Sequence, residues 1–172
     1  MTTKADRPLN IAIAAGGTAG HVNPALALAE ELRERGHHVC FFGQTRRLEG
    51  RLVPEAGFDF FPVEVTGFNR TRPWTLVTAL VHVAHEQRRL VKAFRADSSL
   101  RPDVVVGFGA YVELPLVRAA HQLGIPVALH EQNSVPGLAN KTSAKGAALI
   151  AIAQPSVREV FLAARSEERR VG

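Results

Sequence analysis

The sequence has a single cysteine and no long hydrophobic run among its 172 residues. One cysteine, Cys40, cannot form a disulfide within the chain, and this favours a reducing compartment. No apolar stretch approaches the ~20 residues that a helix needs to span a bilayer. Residues 4–15 begin like a secretion signal, but their apolar part is short and is interrupted by Asn10. We therefore expect a cytoplasmic protein that at most rests on a membrane surface.

Acidic residues are outnumbered by basic ones, which leaves a formal charge of +5 and a sequence pI near 10.1. This balance favours a negatively charged partner, for example a nucleotide, a pyrophosphate, an anionic membrane surface or a nucleic acid. Nucleic acid is the weakest of these, because the basic residues are spread along the chain without the interleaved aromatic side chains that stack on bases. We expect no nucleic-acid partner.

Short apolar runs alternate with helical patterns along most of the chain. We predict strands at 9–15, 39–42, 58–65, 103–106, 127–130 and 148–153, and helices at 24–35, 46–56, 75–96 and 112–123. This alternation predicts an α/β fold with a doubly wound parallel sheet, whose ligand crevice lies at the carboxyl ends of the strands. We assign 8–163 to one Rossmann-like domain, 1–7 to a flexible start and the charged segment 164–172 to a disordered tail.

The first predicted strand runs into a glycine-rich loop, Gly-Gly-Thr-Ala-Gly-His at 16–21. Glycines let a ligand approach the backbone, and free amides at a helix start favour an anion. A nicotinamide-binding loop would have glycine in place of Ala15 and an acidic residue near Gln44, so a dinucleotide oxidoreductase is the weaker interpretation. A P-loop is excluded, because no Gly-Lys-Ser/Thr follows. We place the helix start at Pro24, with Asn23 as its N-cap.

Two later strands also end in candidate ligand-binding segments. A second glycine turn, Gly-Phe-Gly-Ala-Tyr at 107–111, follows the fourth strand, and His-Glu-Gln-Asn at 130–133 follows the fifth. Dense polar groups at strand exits suit ligand contact. Since parallel strands end at the same edge of a sheet, these segments and the first loop predict a single crevice.

The segments 16–24, 107–112, 130–133 and 137–141 occur in an order and at separations that resemble the signature motifs of the MurG family of glycosyltransferases. The resemblance covers about residues 8–161. It implies an inverting GT-B enzyme of two Rossmann-like domains that transfers N-acetylglucosamine from UDP-N-acetylglucosamine to lipid I, which is undecaprenyl-pyrophosphoryl-N-acetylmuramoyl-pentapeptide, in peptidoglycan synthesis. The chain matches the amino-terminal, acceptor-side half. We expect it to be inactive without a carboxyl-terminal donor domain.

The resemblance also implies roles for individual residues. It implies donor contacts for Thr18, Ala19, Gly20 and Asn133. It implies acceptor contacts for Gly17, Gly107, Gly109 and Tyr111, of which Tyr111 could instead only anchor its turn. The chain departs from the family at Ala110, where many relatives have glycine, and at Glu113, where a small or hydroxylated residue is commoner. A carboxylate there would repel a pyrophosphate.

Inverting transfer needs a base that takes the proton of the acceptor hydroxyl. His21 is our first candidate, because an unperturbed imidazole has a pKa of about 6.5, and Glu131 is the second. Either residue could instead have a purely structural role. We expect neither a metal nor a cofactor. We interpret the histidines outside these segments as solvated or core residues: His37, His38, His82, His85 and His121.

The segment 67–95 combines apolar and basic side chains, a composition that suits an anionic membrane surface. Its apolar members are Trp74, Leu76, Val77, Leu80 and Val81, and its basic ones are Arg70, Arg72, Arg88, Arg89, Lys92 and Arg95. An ordinary amphipathic helix with its apolar face in the core is the alternative. The family resemblance implies a peripheral enzyme on the cytoplasmic face of the membrane.

Two other classes of function stay open. One is a different GT-B glycosyltransferase half with another acceptor. The other is a non-catalytic subunit of a split glycosyltransferase, which docks a separate donor domain at the membrane.

Overall fold

The computed structural model describes residues 7–67, 71–72 and 74–168, with side chains up to residue 164. Within these residues, six parallel strands form one sheet in the order β3-β2-β1-β4-β5-β6. The strands are β1 Asn10–Ala14, β2 His38–Gly43, β3 Asp59–Pro62, β4 Val104–Gly107, β5 Val127–Glu131 and β6 Leu149–Ile152. The strand order reverses between β1 and β4, so the sheet is doubly wound and the predicted Rossmann-like fold class is confirmed.

The helices are α1 Ala19–Glu34, α2 Leu48–Glu55, α3 Trp74–Ala96, α4 Glu113–Gln122, α5 Leu138–Ser143, a 3-10 helix at Pro155–Val157, and α6 Arg158–Glu168. The sequence predicted the first four. The structure differs from the expected disordered tail at residues 164–168, which belong to α6, a helix that carries Phe161 into the core. Residues 1–6 and 169–172 lie outside the described residues. No helix within the described residues is long and apolar enough to cross a membrane.

Helix α1 begins earlier than the predicted start at Pro24. Thr18 is the N-cap residue, with extended backbone, and its carbonyl accepts hydrogen bonds from the amides of His21 and Val22 at 3.1 Å each. Pro24 therefore lies inside the helix, where it removes the amide that would otherwise pair with the carbonyl of Gly20. As a result, Gly20 and His21 belong to the first turn of the helix rather than to a loop.

Two apolar clusters pack on opposite faces of the sheet. Alternate residues of β1 contribute to each face, with Ile11 and Ile13 in one cluster and Ala12 and Ala14 in the other. Helices α1 and α2 cover the first face, and α3, α4 and α6 cover the second. Because both faces are buried, the carboxyl edge of the strands and the loops that follow it are the part of the sheet that is left to bind a ligand.

Candidate functional site

A cleft with a volume of about 840 Å³ opens at the carboxyl ends of the strands. One wall consists of the first glycine loop and the second glycine turn, which lie next to each other because β1 pairs with β4. The opposite wall comes from the segments after β2 and β3 and from α3: Gln44, Arg47, Glu64, Thr66, His82 and His85. The structure thus brings two of the three predicted segments into one cleft.

The first glycine loop is held from behind by Glu49, a residue that the sequence analysis did not identify. Glu49 is 1% exposed and accepts hydrogen bonds from the amides of Gly17 (3.0 Å) and Gln44 (3.1 Å). A Cβ atom on Gly16 would collide with this carboxylate, and Gly17 has a φ of 83°. Both glycines are therefore required by the fold of the loop itself.

The second glycine turn is held in the same way by Glu113. Its carboxyl group is fully buried and accepts a hydrogen bond from the amide of Gly109 at 2.7 Å. A Cβ atom on Gly107 would lie 2.5 Å from Glu113 Oε2. Burial, aided by the charge of Glu131, raises the pKa of Glu113 to about 7 against the opposing amide of Gly109. The carboxyl group thus lies beneath the turn and does not line the cleft.

Glu131 organises the third segment. It is fully buried, and its carboxylate accepts hydrogen bonds from four donors. The donors are Asn133 N (2.9 Å), Asn133 Nδ2 (2.9 Å), Gly137 N (3.0 Å) and Asn140 Nδ2 (2.9 Å). This arrangement supports the structural role that we kept open for Glu131. Of the described residues that line the cleft, none belongs to 130–133.

His21 lies in the first turn of α1 between the two glycine segments. Its Nδ1 is 2.7 Å from Thr18 Oγ1, and its Nε2 has no hydrogen-bond partner among the described residues. The ring approaches the second turn, since a Cβ atom on Gly109 would lie 3.7 Å from His21 Cδ2. Partial burial lowers the pKa of His21, while the charges of Glu131 and Glu49 oppose that shift. Burial is the larger influence, and it favours a neutral imidazole near pH 7 with one ring nitrogen available to a ligand.

The residues that were expected to contact the sugar donor differ in their hydrogen bonds and in whether the fold requires them. The amides of Ala19 and Gly20, in the first turn of α1, have no partner among the described residues, as is usual at a helix start. A Cβ atom on Gly20 would meet only Thr18 Oγ1, at 3.7 Å, so neither space nor backbone requires glycine there. Asn133 is exposed, and its side-chain nitrogen donates a hydrogen bond to Glu131 Oε1.

Two histidines that we interpreted as solvated or core residues line the cleft. His82 Nδ1 is 2.9 Å from Thr66 Oγ1, and His85 is exposed one turn further along α3. Tyr111 is 39% exposed at the mouth, where its ring faces Gly67. The spacing of His82 and His85 on one helix was the available signal, but the sequence did not show which face of α3 meets the cleft.

Comparison with known proteins identifies the family. The model of the glycosyltransferase family 28 N-terminal domain matches residues 11–152, from β1 to β6. The chain belongs to this family. The chain is 44% identical over 147 residues to the UDP-N-acetylglucosamine--N-acetylmuramyl-(pentapeptide) pyrophosphoryl-undecaprenol N-acetylglucosamine transferase of Cutibacterium acnes. The match covers 86% of this chain and 39% of that relative.

Other relatives agree. A protein with the same name from Halothermothrix orenii is 40% identical over 144 residues, covering 84% of this chain and 38% of that relative. The crystal structure of Acinetobacter baumannii MurG superposes with a TM-score of 0.69 at 31% identity, over 87% of this chain and 43% of that one. The chain therefore spans about two fifths of the length of these relatives. It corresponds to the amino-terminal part of MurG, and the predicted resemblance is confirmed.

Proposed function

We propose that this chain is the acceptor-side half of an enzyme that transfers N-acetylglucosamine from UDP-N-acetylglucosamine to lipid I, giving lipid II for peptidoglycan synthesis. The names of its relatives supply the substrates. The observation that carries the proposal is that His21 Nε2, next to both the first glycine loop and the second glycine turn, has no hydrogen-bond partner among the residues that the structure describes.

In this proposal His21 is the general base. Nδ1–H donates to Thr18 Oγ1, which leaves the Nε2 lone pair facing the cleft. Nε2 takes the proton of the acceptor 4-hydroxyl while its oxygen attacks C1 of N-acetylglucosamine. The new C1–O bond forms with inversion as the bond from C1 to the diphosphate breaks, and UDP leaves with the electron pair. The charges of Glu131 and Glu49, which act to raise the pKa of His21, stabilise the imidazolium that results.

The donor and acceptor contacts follow from which amides are unpaired. The amides of Gly17 and Gly109 are committed to buried glutamates. The unpaired amides of Ala19 and Gly20 suit a negatively charged donor, and the open space at Gly20 lets a sugar lie against the backbone. We assign the acceptor to the cleft side of Gly17, Gly109 and Tyr111, where the shape of the cleft and not these two amides would hold it. Gly107 is buried and does not line the cleft, so it supports the acceptor site only by leaving room for Glu113. Thr18 and Asn133 complete the donor side.

We further propose that the first turns of α3 attach the protein peripherally to an anionic membrane surface on the cytoplasmic side. Large apolar side chains are exposed there, led by Trp74 (66%), Val77 (65%) and Val81 (59%), while Leu90 and Phe94 later in α3 are buried in the core. The second half of α3 is thus an ordinary amphipathic helix, whereas the first half buries Ala79 and Val83 but leaves its largest apolar side chains exposed. Arg72 adds positive charge next to the patch; Arg70 lies outside the described residues.

Vesicle sedimentation tests this attachment. We expect binding to vesicles that contain anionic phospholipid and weak binding to purely zwitterionic ones. Trp74→Ser with Val77→Ser should weaken binding by about tenfold, because two exposed apolar anchors are removed. The paired substitutions Leu149→Ser and Leu162→Ser, at other exposed apolar positions, serve as the control. Equal loss in both double variants would contradict the assignment of the patch.

The transferase proposal is tested by the transfer of labelled N-acetylglucosamine to a short-chain lipid I analogue. The chain is assayed alone and together with the carboxyl-terminal part of the Cutibacterium acnes relative. We expect transfer only in the combined assay, and a loss of about 10²- to 10⁴-fold in His21→Ala, which is the usual contribution of a general base. His37→Ala, a histidine outside the cleft, is the control.

A folded chain that neither binds the analogue nor supports transfer would refute the lipid I assignment. Transfer to a different acceptor would favour another GT-B glycosyltransferase half. Full activity in His21→Ala would leave the assignment of the substrates unchanged and would refute the assignment of His21 as the base.

A further inference from the structure

Three buried polar atoms beneath the second glycine turn have no hydrogen-bond partner among the described residues. They are Glu113 Oε1, Asn140 Oδ1 and Ser143 Oγ. Glu113 and Asn140 are fully buried and Ser143 is 3% exposed. Asn140 and Ser143 lie one turn apart on α5, which packs against α4, and the Ser143 hydroxyl approaches the Glu113 carboxyl without meeting the geometry of a hydrogen bond. Unpaired buried polar atoms are costly, so this cluster requires an explanation.

A count of donors and acceptors distinguishes the two protonation states of Glu113. If Glu113 is ionised, its Oε1 and Asn140 Oδ1 compete for the single proton of Ser143. If Glu113 is protonated at Oε1, its hydroxyl can donate to Ser143 Oγ and the Ser143 hydroxyl can donate to Asn140 Oδ1, so that the number of donors suffices for all three atoms. Glu131, which faces the cluster from β5, adds a negative charge that further disfavours a second carboxylate.

The cluster contacts the cleft through the second glycine turn. Glu113 Oε2 accepts the amide of Gly109 at 2.7 Å, and Asn140 Nδ2 would lie 2.9 Å from a Cβ atom on Gly109. The same Asn140 nitrogen donates to Glu131 Oε2 at 2.9 Å and to the carbonyl of His130 at 3.1 Å. The His21 ring also approaches Gly109, because its Cδ2 atom would lie 3.7 Å from the same Cβ atom. Gly109 is therefore close to both the proposed base and the buried cluster.

We propose that Glu113 is a positioning residue that works as a neutral acid: it holds the second glycine turn against His21 and, through Ser143 and Asn140, joins that turn to the segment organised by Glu131. Loss of its proton leaves Asn140 Oδ1 and Glu113 Oε1 with one donor between them and loosens the turn. The effect on acceptor binding rests on the proposed function, because only then does this turn contact the acceptor.

The test measures binding of a short-chain lipid I analogue to the 172-residue chain and its Glu113 variants. Glu113→Gln supplies one donor and one acceptor in the shape of the neutral acid, so we expect affinity within about twofold of the unaltered chain. Glu113→Ala removes the hold on Gly109, and we expect about tenfold weaker binding. Glu55→Gln, an exposed glutamate at the end of α2, is the matched control. Amide hydrogen exchange at Gly109 should be slow in the Gln variant and fast in the Ala variant.

Three outcomes would overturn the proposal. One is that Glu113→Gln binds as weakly as Glu113→Ala, because the charged carboxylate would then be the working form. Another is that a folded Glu113→Ala chain binds the analogue as tightly as the unaltered chain and that its Gly109 amide exchanges at the same rate. If that variant does not fold, Ser143→Ala decides: we expect about fivefold weaker binding, and no change would refute the proton chain. Failure of the unaltered chain to bind the analogue would instead refute the proposed function, while Gly109 exchange would still test the role of Glu113.

Discussion

The first glycine loop and the second glycine turn share one device and differ in how completely it is satisfied. In each, a buried glutamate accepts the amide of a glycine with positive φ, and a second glycine leaves room for the carboxyl group. Glu49 receives two backbone amides, from the ends of two neighbouring strands, whereas Glu113 receives one and has an unpaired oxygen. A buried carboxyl group with a smaller supply of donors, as at Glu113, is left with an oxygen that favours a proton.

In the third segment Glu131 has the largest number of donors of these three buried glutamates, because it accepts four hydrogen bonds. Its removal should have the largest effect on stability. We expect Glu131→Ala to lower the free energy of unfolding by about 4 kcal/mol, because two amides and two side-chain nitrogen bonds lose their buried acceptor. Glu49→Ala, with two donors, should cost about 2 kcal/mol. Urea titration of both variants provides the measurement.

Glu55→Ala, at an exposed glutamate, is the control for these variants and should change stability by at most about 0.5 kcal/mol. A cost below about 1 kcal/mol for Glu131→Ala would break the proposed order and reopen the role of Glu131 as a base.

Glu113 should make the stability of the chain depend on pH. Its pKa is raised to about 7 in the folded chain from an ordinary value of 4.5. The folded state thus holds a proton that the unfolded state releases above about pH 4.5. This stabilisation is fully present below that pH, falls as the pH rises through about 7, and changes no further above it.

The difference in unfolding free energy between the unaltered chain and Glu113→Gln isolates this contribution from other titrating groups. Between pH 5.5 and pH 8 the stability of the unaltered chain relative to the variant should fall by roughly 2 kcal/mol. Urea titrations at the two pH values measure it. Parallel pH profiles for the two proteins would show that Glu113 is already ionised at pH 5.5.

The architecture and the location of the cleft could be predicted from the sequence, because strand and helix patterns repeat and because parallel strands end at one edge. The start of α1 could not, because proline after asparagine usually marks the start of a helix, whereas Pro24 lies inside α1. The roles of Glu49 and Glu113 were also out of reach. A glutamate in a helical segment is usually solvated. No local pattern indicates that the carboxyl group of Glu49 lies beneath the loop after another strand, or that the carboxyl group of Glu113 lies beneath the turn before its own helix.

The same limit applies to the glycines, whose motif does not say whether fold or ligand requires each one. Gly107→Ala should lower the free energy of unfolding by about 2 kcal/mol, because the added Cβ would lie 2.5 Å from Glu113 Oε2 and 3.0 Å from Leu129 Cδ2. Gly20→Ala should instead raise it by about 0.5 kcal/mol, because alanine favours a helix and only Thr18 Oγ1 is nearby.

In the combined transfer assay, however, Gly20→Ala should raise the KM for UDP-N-acetylglucosamine by about tenfold, because the methyl group occupies space that we assign to the donor. The KM for the lipid I analogue should not change. Gly124→Ala, at a positive φ of 67° on the far side of the sheet from the cleft, controls for the loss of a glycine as such. A stable Gly20→Ala chain with an unaltered KM for the donor would mean that this glycine is retained for neither fold nor ligand, and the donor would have to lie elsewhere along α1.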